Sequence, residues 1–377
     1  MKIVLINHGT AGEWGGGDSV QIKETAKRLL ERGHDVSIQN SDEPIVKGAD
    51  VAHIFNCRVY ESLKKQFQVC RDEGIPTVIS PIWIPLGRAI WGSRGTLAVL
   101  EMGITNGEES IASQLKELKE RKLSVYSNGK LFKYESTEKA GLEWLKDVSN
   151  IINQADGVLP NSWLELKSLQ LDLNYTGNNY DVAYYGVDSS LFLNSDAEEF
   201  RNMSGIRTPF IMQAGRIEPG KNQAMLCWAL RKTDVKIVLV GSTKHWPAYA
   251  ELCRKISGNK LTIIDHLPQK LLGSAYKAAN VHCLTSWMDT CGLVSLEAAL
   301  CGTPIVGSTF GHELEYLKND AWLADPGDEQ SIRKSIENAW NSGKHNENIY
   351  RLKNRILGKY NWEQMTTASE EMYKKVI

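Results

Sequence analysis

The chain alternates short apolar runs with stretches that carry apolar residues at helical spacing. It opens on KIVLIN (2–7), a buried-strand pattern, followed by a glycine-rich loop, Gly15-Gly16-Gly17. Asp18 then stands as the expected N-cap, with Gln21 completing a capping box. Val20, Ala26, Leu29 and Leu30 are expected to form the apolar stripe of a helix that Gly33 ends. Strands are predicted at 36–39, 51–55, 76–80 and 156–160. The 105–150 stretch is more polar, rich in both charge signs and mostly helical in pattern, and is expected to be an insertion over the sheet.

The second half alternates more regularly. Strands are expected at 209–214, 236–240, 261–264, 281–285, 304–307 and 321–324. Helices are expected between and after them, at about 222–231, 246–257, 269–279, 292–301, 311–318 and 328–341. Strands separated by helices of this length imply parallel sheets covered on both faces. The α/β class and two doubly wound, Rossmann-like domains facing a cleft follow. The polar run at 189–207 is the expected linker.

Composition narrows the function classes. Of 377 residues, 42% are hydrophobic and 24% charged, with a net charge of −1, which speaks against nucleic acid as a partner. No apolar run approaches the roughly 20 residues of a membrane helix, and the N-terminal run is too short for a secretory signal. The seven cysteines are scattered without a CxxC pair, which points to reduced thiols and a cytoplasmic protein.

In open α/β sheets ligands bind beyond the carboxyl ends of the strands, which selects five loops of the second domain. They are 215–222, 241–246, 265–268, 286–292 and 307–315. Arg216 and Lys221 flank IEPG after a strand. Two cations beside a helix start suit a diphosphate, and the same spacing also fits a solvated pair. In SWMDTCGLVSLEAALCGTP, Asp289 precedes a helix, Gly292 sits at the turn and Glu297 lies on the helix among Leu296, Ala298 and Ala299. A carboxylate in such company needs a partner.

GLVSLEAALCGTPIV resembles the GLxxLEAMACGxPVV signature of the retaining glycosyltransferases of family four, the glycosyl transferases group 1, which have the GT-B fold. The resemblance runs over nearly the whole chain. AGRIEPGKN is similar to the family's GRLxxxKN loop, and YYGVDSSLF to its NGVDxxxF junction. GGGDSVQIKETAKRLLERGHDV resembles its N-terminal GG-loop, helix and RGHxV, and DVAH (50–53) its DVVH strand. DPGD (325–328) and NWEQMTTASEEMY resemble its late strand and its closing helix, which crosses back onto the first domain.

The resemblance implies an N-terminal acceptor-side domain over 1–190 with the helix 361–377, and a nucleotide-sugar-binding domain over 191–360. It implies a glycosyltransferase moving a hexose-type sugar from a nucleotide-diphosphate donor, UDP or GDP, to a saccharide, lipid-linked or small-molecule acceptor. Arg216 and Lys221 would bind the diphosphate, and Glu297 the ribose hydroxyls. Asp289 would take the first acidic position of an E-x7-E pair and contact the transferred sugar. Backbone groups of Gly292, Leu293 and Val294 would meet phosphates and sugar, with Gly16 and Gly17 approaching from the other side. His266 lines the nucleobase pocket or lies on the surface.

Two departures stand out: Asp289 replaces the usual Glu, and TVISPIWIP holds no histidine where the family commonly has one. With no DxD motif and no metal-ligand cluster, transfer without a metal or other cofactor is expected. A silent binding homologue and a nucleotide-sugar epimerase are the alternatives. His8 and His53 are expected to satisfy local backbone groups, and Trp83 and Trp91 to lie in a core or face an acceptor. KELKERK (116–122) reads as a solvated helix face, or as a weak membrane-surface contact through the first domain.

Overall fold

A computed structural model describes residues 1–11, 16–120, 125–127, 130–132 and 144–377. Two compact units emerge: residues 1–85, 140–187 and 358–377 form the first, and 86–139 with 188–357 the second.

The first unit is built on a five-stranded parallel sheet. In chain order its strands are β1 (Lys2–Asn7), β2 (Asp35–Asn40), β3 (Val51–Phe55) and β4 (Thr77–Ser80). The fifth sheet strand is β7 (Gly157–Val158); between β4 and β7 in the chain, an antiparallel strand pair, β5 (Val125–Ser127) and β6 (Lys130–Phe132), belongs to the second unit. The sheet order is β2-β1-β3-β4-β7. β3 and β4 are buried at every position and largely apolar, with the polar His53, Thr77 and Ser80 buried among them, whereas β2 lies at the edge and is mostly exposed.

The first helix, Gly17–Glu31, differs from expectation at its start. Gly16 is the N-cap, so Asp18 falls inside the first turn and is not the N-cap. Its carboxylate accepts from Ser19 N at 2.8 Å and from Asn56 Nδ2 at 3.1 Å and faces His8 Nε2 at 3.6 Å; burial works against its ionisation, but these partners hold it down at about 2. The buried face is Gln21, Ile22, Thr25, Ala26 and Leu29, while Val20 and Leu30 point to solvent. The expected stripe is therefore rotated, because Ile22, Ala26 and Leu29 keep the i, i+4, i+7 spacing of one face.

The closing helix, Trp362–Val376, packs on the helix Gly17–Glu31 and on β4 and β7, all within the first unit. Arg32 donates to Glu370 at 2.7 Å and also pairs with Glu363. The glycine of YYGVD has a packing cause: a Cβ on Gly186 would lie 2.1 Å from Trp362 N. His53 is a core residue that bonds side chains, not backbone, with Nδ1 2.6 Å from Tyr373 Oη and Nε2 2.9 Å from Ser80 Oγ. Burial pulls it down to about 3. His8 Nδ1 likewise meets the side chain of Thr10, at 3.0 Å.

The second unit has a six-stranded parallel sheet. Its strands are β8 (Phe210–Ala214), β9 (Lys236–Val240), β10 (Leu261–Ile264), β11 (Val281–Leu284), β12 (Ile305–Ser308) and β13 (Trp322–Ala324). Their order is β10-β9-β8-β11-β12-β13, so the order reverses between β8 and β11. Helices Gln223–Ala229, Pro247–Ser257, Gln269–Ala278, Leu293–Leu300, Glu313–Leu317 and Glu329–Ser342 alternate with them as predicted.

Two expectations are corrected here, and one pair of alternatives is decided. The run at 189–207 is not a loose linker: it forms helices Ser189–Phe192 and Ala197–Ser204, capped by Asp188 and Asp196. Phe192 and Phe200 are buried, and the second of these helices packs on Gln269–Ala278. Two anchoring aromatics outweigh the polar composition around them. Residues 86–139, expected with the first domain, group with the second unit. Helix Leu86–Asn106 packs against Glu108–Lys119 and against the turn at Pro219–Lys221, so closely that a Cβ on Gly92 would overlap the Trp287 ring. Trp83 and Trp91 are both core residues rather than acceptor contacts; Trp83 Nε1 donates to Asp172 at 2.9 Å.

Much of the 105–150 stretch, including Arg121 and Lys122 of KELKERK and the first glycine of the triple, Gly15, lies outside the described residues. Lys119 is ion-paired with Asp328 inside the second unit. No helix among the described residues is long and apolar enough to cross a membrane. All seven cysteines are buried free thiols.

Candidate donor site in the second unit

The five selected loops all emerge at the carboxyl ends of the second sheet, and the switch between β8 and β11 brings the first and fourth together. After β8 the chain runs Gly215-Arg216-Ile217-Glu218 into a 3₁₀ turn, Pro219–Lys221. Asn222 then adopts a left-handed conformation, with φ 63°, and its amide donates to the carbonyls of Thr285 and Pro326 at 2.9 and 2.8 Å. Gln213 Nε2 donates to Lys221 O at 2.6 Å, and Gln223 Nε2 to Arg216 O at 2.8 Å. The backbone under both cations is thereby pinned by three buried amides. Sequence reasoning passed over these amides. The available signal was Asn222 itself, because asparagine tolerates the left-handed region that this sharp turn into a helix needs.

The fourth loop docks on the first through Trp287 N, which donates to Gly220 O at 2.9 Å, and Ser286 Oγ, which donates to the same carbonyl at 2.9 Å. This brings Lys221 Nζ to 2.6 Å from Asp289 Oδ1, with side chains 16% and 12% exposed. Two residues singled out 68 positions apart are therefore in direct contact. Arg216 is more open, with a side chain 38% exposed, and forms a two-point pair with Glu218 at 3.2 Å.

Gly292 caps the helix Leu293–Leu300 in the left-handed conformation, with φ 64°. A Cβ there would come 2.5 Å from Glu313 Oε2, so glycine is required by packing as well as by backbone. Leu293 and Val294 begin the helix, half-buried, and their amides belong to the four that a helix start leaves free. Glu297 lies one turn on and has the partner its surroundings demanded: Tyr276 Oη donates to its Oε2 at 2.9 Å. Burial pushes Glu297 up to about 7. It does not join the Lys221–Asp289 pair.

His266 sits on the exposed loop after β10. Gly16 and Gly17 cap and open the first helix of the first unit. No group of three or more potential metal-ligating side chains occurs among the described residues.

The sheet reverses order between β8 and β11, a left-handed glycine opens the helix beyond β11, and a Lys–Asp pair stands at that opening, which makes this end of the sheet a candidate site for an anionic ligand. Over the full chain, the fold is that of sucrose-phosphate synthase from Thermosynechococcus elongatus (TM-score 0.73, 16% identity, covering 100% of this chain and 99% of that one). It is equally that of HepE of Anabaena, solved with UDP-glucose (TM-score 0.71, 17% identity, covering 99% and 100%). Residues 196–354 match the model of the family described as glycosyl transferases group 1. Among curated proteins, the D-inositol 3-phosphate glycosyltransferase of Kribbella flavida is 32% identical over 178 residues, 43% of this chain and 42% of that protein. Its counterpart in Mycobacteroides abscessus is 26% identical over 330 residues, 78% of this chain and 70% of that protein. The match thus spans about two fifths of the length of the first of these relatives. Residues 196–354 therefore resemble the glycosyl transferases group 1, and the chain as a whole has the GT-B fold.

Proposed function

We propose that this protein transfers a hexose-type sugar from a nucleotide-diphosphate donor, with the donor held by the second unit. One observation carries the reading: Lys221 and Asp289, from two loops, meet at 2.6 Å beside the left-handed Gly292 turn. A cation, an anion and a helix start then serve three parts of one ligand. Lys221 and Arg216 face the diphosphate, whose bridging oxygen gains charge as the sugar leaves. The free amides of Leu293 and Val294 add donors at the same end. Asp289 has the acceptor oxygens to hold a sugar hydroxyl. Charge stabilisation by fixed cations and amides is the dominant rate term where leaving-group charge develops, and we assign it here to this chain's own residues, without a metal or other cofactor. The UDP-glucose complex of the Anabaena neighbour supports a uridine diphosphate sugar as the first donor to test. The inositol-phosphate acceptor named for the curated relatives supports a polyol or saccharide acceptor, small or lipid-linked.

The test is a thermal-shift screen against UDP, GDP, ADP and dTDP and their glucose conjugates, followed by donor hydrolysis in EDTA. One diphosphate series should raise the melting temperature, and free sugar should appear without added metal. No shift with any nucleotide would dismiss the donor site; hydrolysis that stops in EDTA would dismiss the metal-free scheme.

Glu297 makes a separate prediction. A carboxylate accepts two ribose hydroxyls, while the neutral acid offers a competing proton, so donor binding favours the ionised form. With Glu297 at about 7 in the free protein, affinity should be constant above that pH and weaken as pH falls through it. A nucleotide sugar is the correct probe, because a free diphosphate has a terminal ionisation of its own near pH 6 or so. Calorimetric titration at pH 8 and pH 6 should show the loss in the wild type and not in Glu297→Gln. A persisting loss in the variant would take Glu297 out of the ribose site.

A further inference from the structure

Glu313 is a fully buried acid that none of the family-like motifs singled out. It opens the helix Glu313–Leu317 in the loop after β12. Its Oε1 accepts the Ser308 N–H at 2.6 Å. Its Oε2 is buried with no hydrogen-bond partner and lies 2.5 Å from where a Cβ on Gly292 would stand. A Cβ on Gly307 would lie 3.3 Å from Oε1, so the carboxyl group is wedged between the Gly292 turn and Gly307 of strand β12. The loop that carries it also interlocks with the donor loop. His312 N donates to Asp289 O at 3.5 Å, and a Cβ on Gly311 would stand 2.7 Å from that same carbonyl.

The groups around Glu313 are Asp289, Lys221, Ser308 and the buried thiols of Cys283 and Cys291. Ionised, Glu313 and Asp289 would place two negative charges against the one positive charge of Lys221, with little water to screen them. Burial first, and the nearby Asp289 second, hold Glu313 well above the ordinary carboxylate range, so it carries a proton. That proton needs an acceptor. Asp289 Oδ2 is buried and has no hydrogen-bond partner, while Oδ1 of the same group is taken by Lys221.

We propose that Glu313 is a positioning residue of the donor-sugar site, a neutral acid that donates its proton to Asp289 Oδ2. Lys221 and Glu313 then hold the Asp289 carboxylate from both oxygens, and Oδ1 keeps a lone pair for a sugar hydroxyl. Asp289 is one methylene shorter than the Glu usual at that position. A partner behind it compensates by fixing where the short side chain points. The same contact ties the Asp289 carboxylate to the Gly292 turn, so sugar and phosphate contacts are held in one register. Nucleotide contacts made elsewhere do not depend on it.

This inference rests on the proposed donor site, and its test separates the two. Donor hydrolysis and nucleoside-diphosphate affinity are measured for wild type, Glu313→Gln and Glu313→Met, each checked for folding by circular dichroism. Gln keeps an acceptor for Ser308 N–H and a neutral donor for Asp289; Met keeps the volume and loses both. Gln is expected to stay within about threefold of wild type in kcat/KM for the nucleotide sugar. Met is expected to lose about tenfold or more in kcat/KM while its Kd for the free diphosphate stays within about twofold. A wild type that neither binds nor hydrolyses any nucleotide sugar removes the functional reading itself. With an active wild type, a Met variant equal to it, or one that loses diphosphate and sugar alike, overturns the role of Glu313. So does a Gln variant that loses tenfold, which keeps the idea falsifiable even if Met does not fold.

Discussion

Arg216→Ala is expected to lower turnover by about 10²–10³ while leaving the fold intact, the size of loss that follows removal of one fixed donor to a developing oxyanion. The Arg216 side chain is 38% exposed, so its removal opens no cavity in the core. Its bond partner in the free protein is Glu218, whose carboxylate remains partly accessible and can be hydrated once the guanidinium is gone. Stability should therefore change little, since exposed pairs contribute about 0–1 kcal/mol. The loss should appear mainly in kcat, because the charge that Arg216 meets is greatest as the sugar departs. Steady-state kinetics with the donor found in the nucleotide screen, beside a thermal melt, would decide it. Near-normal turnover would remove Arg216 from the diphosphate. Lys221→Ala is a poorer probe, since it also removes the cation that pairs with Asp289 Oδ1 and so disturbs the sugar contact together with the diphosphate contact.

Gly241→Ala is the substitution expected to damage the fold most directly. A Cβ at Gly241 would lie 1.9 Å from Gly215 O and 2.6 Å from Gly215 C, both backbone atoms that cannot rotate away. The strands there are locked at their ends. Gly215 N donates to Val240 O at 2.9 Å, Gly241 N to Ile264 O at 2.9 Å, and Ile217 N to Ser242 O at 3.0 Å. Relieving the clash means parting β8 from β9 and moving the loop that carries Arg216. The expected cost is at least about 3 kcal/mol, in the range that named steric mechanisms produce. That corresponds to a fall in melting temperature on the order of 10 °C for a domain of this size. Gly205→Ala is the control: its φ is also positive, at 70°, in the left-handed region, but nothing lies within 4 Å of its added Cβ. It should cost only about 1 kcal/mol for the left-handed backbone. Equal melting temperatures for the two variants would contradict the close approach of the loops.

The inner strands of the second unit, β9, β8, β11 and β12, were legible almost to the residue because they are buried on both faces and read as largely apolar runs. The less buried edge strands β10 and β13 were marked by their place in the strand–helix alternation. The first helix was legible as a helix and misplaced on its axis. Val20 and Leu30 are apolar yet exposed, while the polar Gln21 and Thr25 are buried, so side-chain polarity alone misassigned the face. The polar run at 189–207 failed as a linker for a similar reason: two phenylalanines among eleven polar neighbours or so decided its packing, and a compositional average hides two residues. In the candidate site, Arg216, Lys221, Asp289, Gly292 and Glu297 stood out through their order along the chain. Glu313 did not, because GHELEYL holds two glutamates, Glu313 and Glu315, and no local pattern announces which of them is fully buried.

What the sequence by itself determined is therefore the class of the fold, the loops that bear the chemistry and the residue types that could hold a diphosphate sugar. These are properties of local periodicity and of chemistry at strand ends, and both are written within a few residues of each position. Only the tertiary structure decided which of those residues meet. Lys221 and Asp289 touch because β8 and β11 are neighbours in the sheet though far apart in the chain. Glu297 finds Tyr276, and Glu313 comes to lie beneath Gly292, by contacts between separate elements. The grouping of 86–139 with the second unit has the same origin, the packing of helix Leu86–Asn106 on elements far along the chain. Contacts of this kind depend on sheet order and close packing, which no short window of sequence contains.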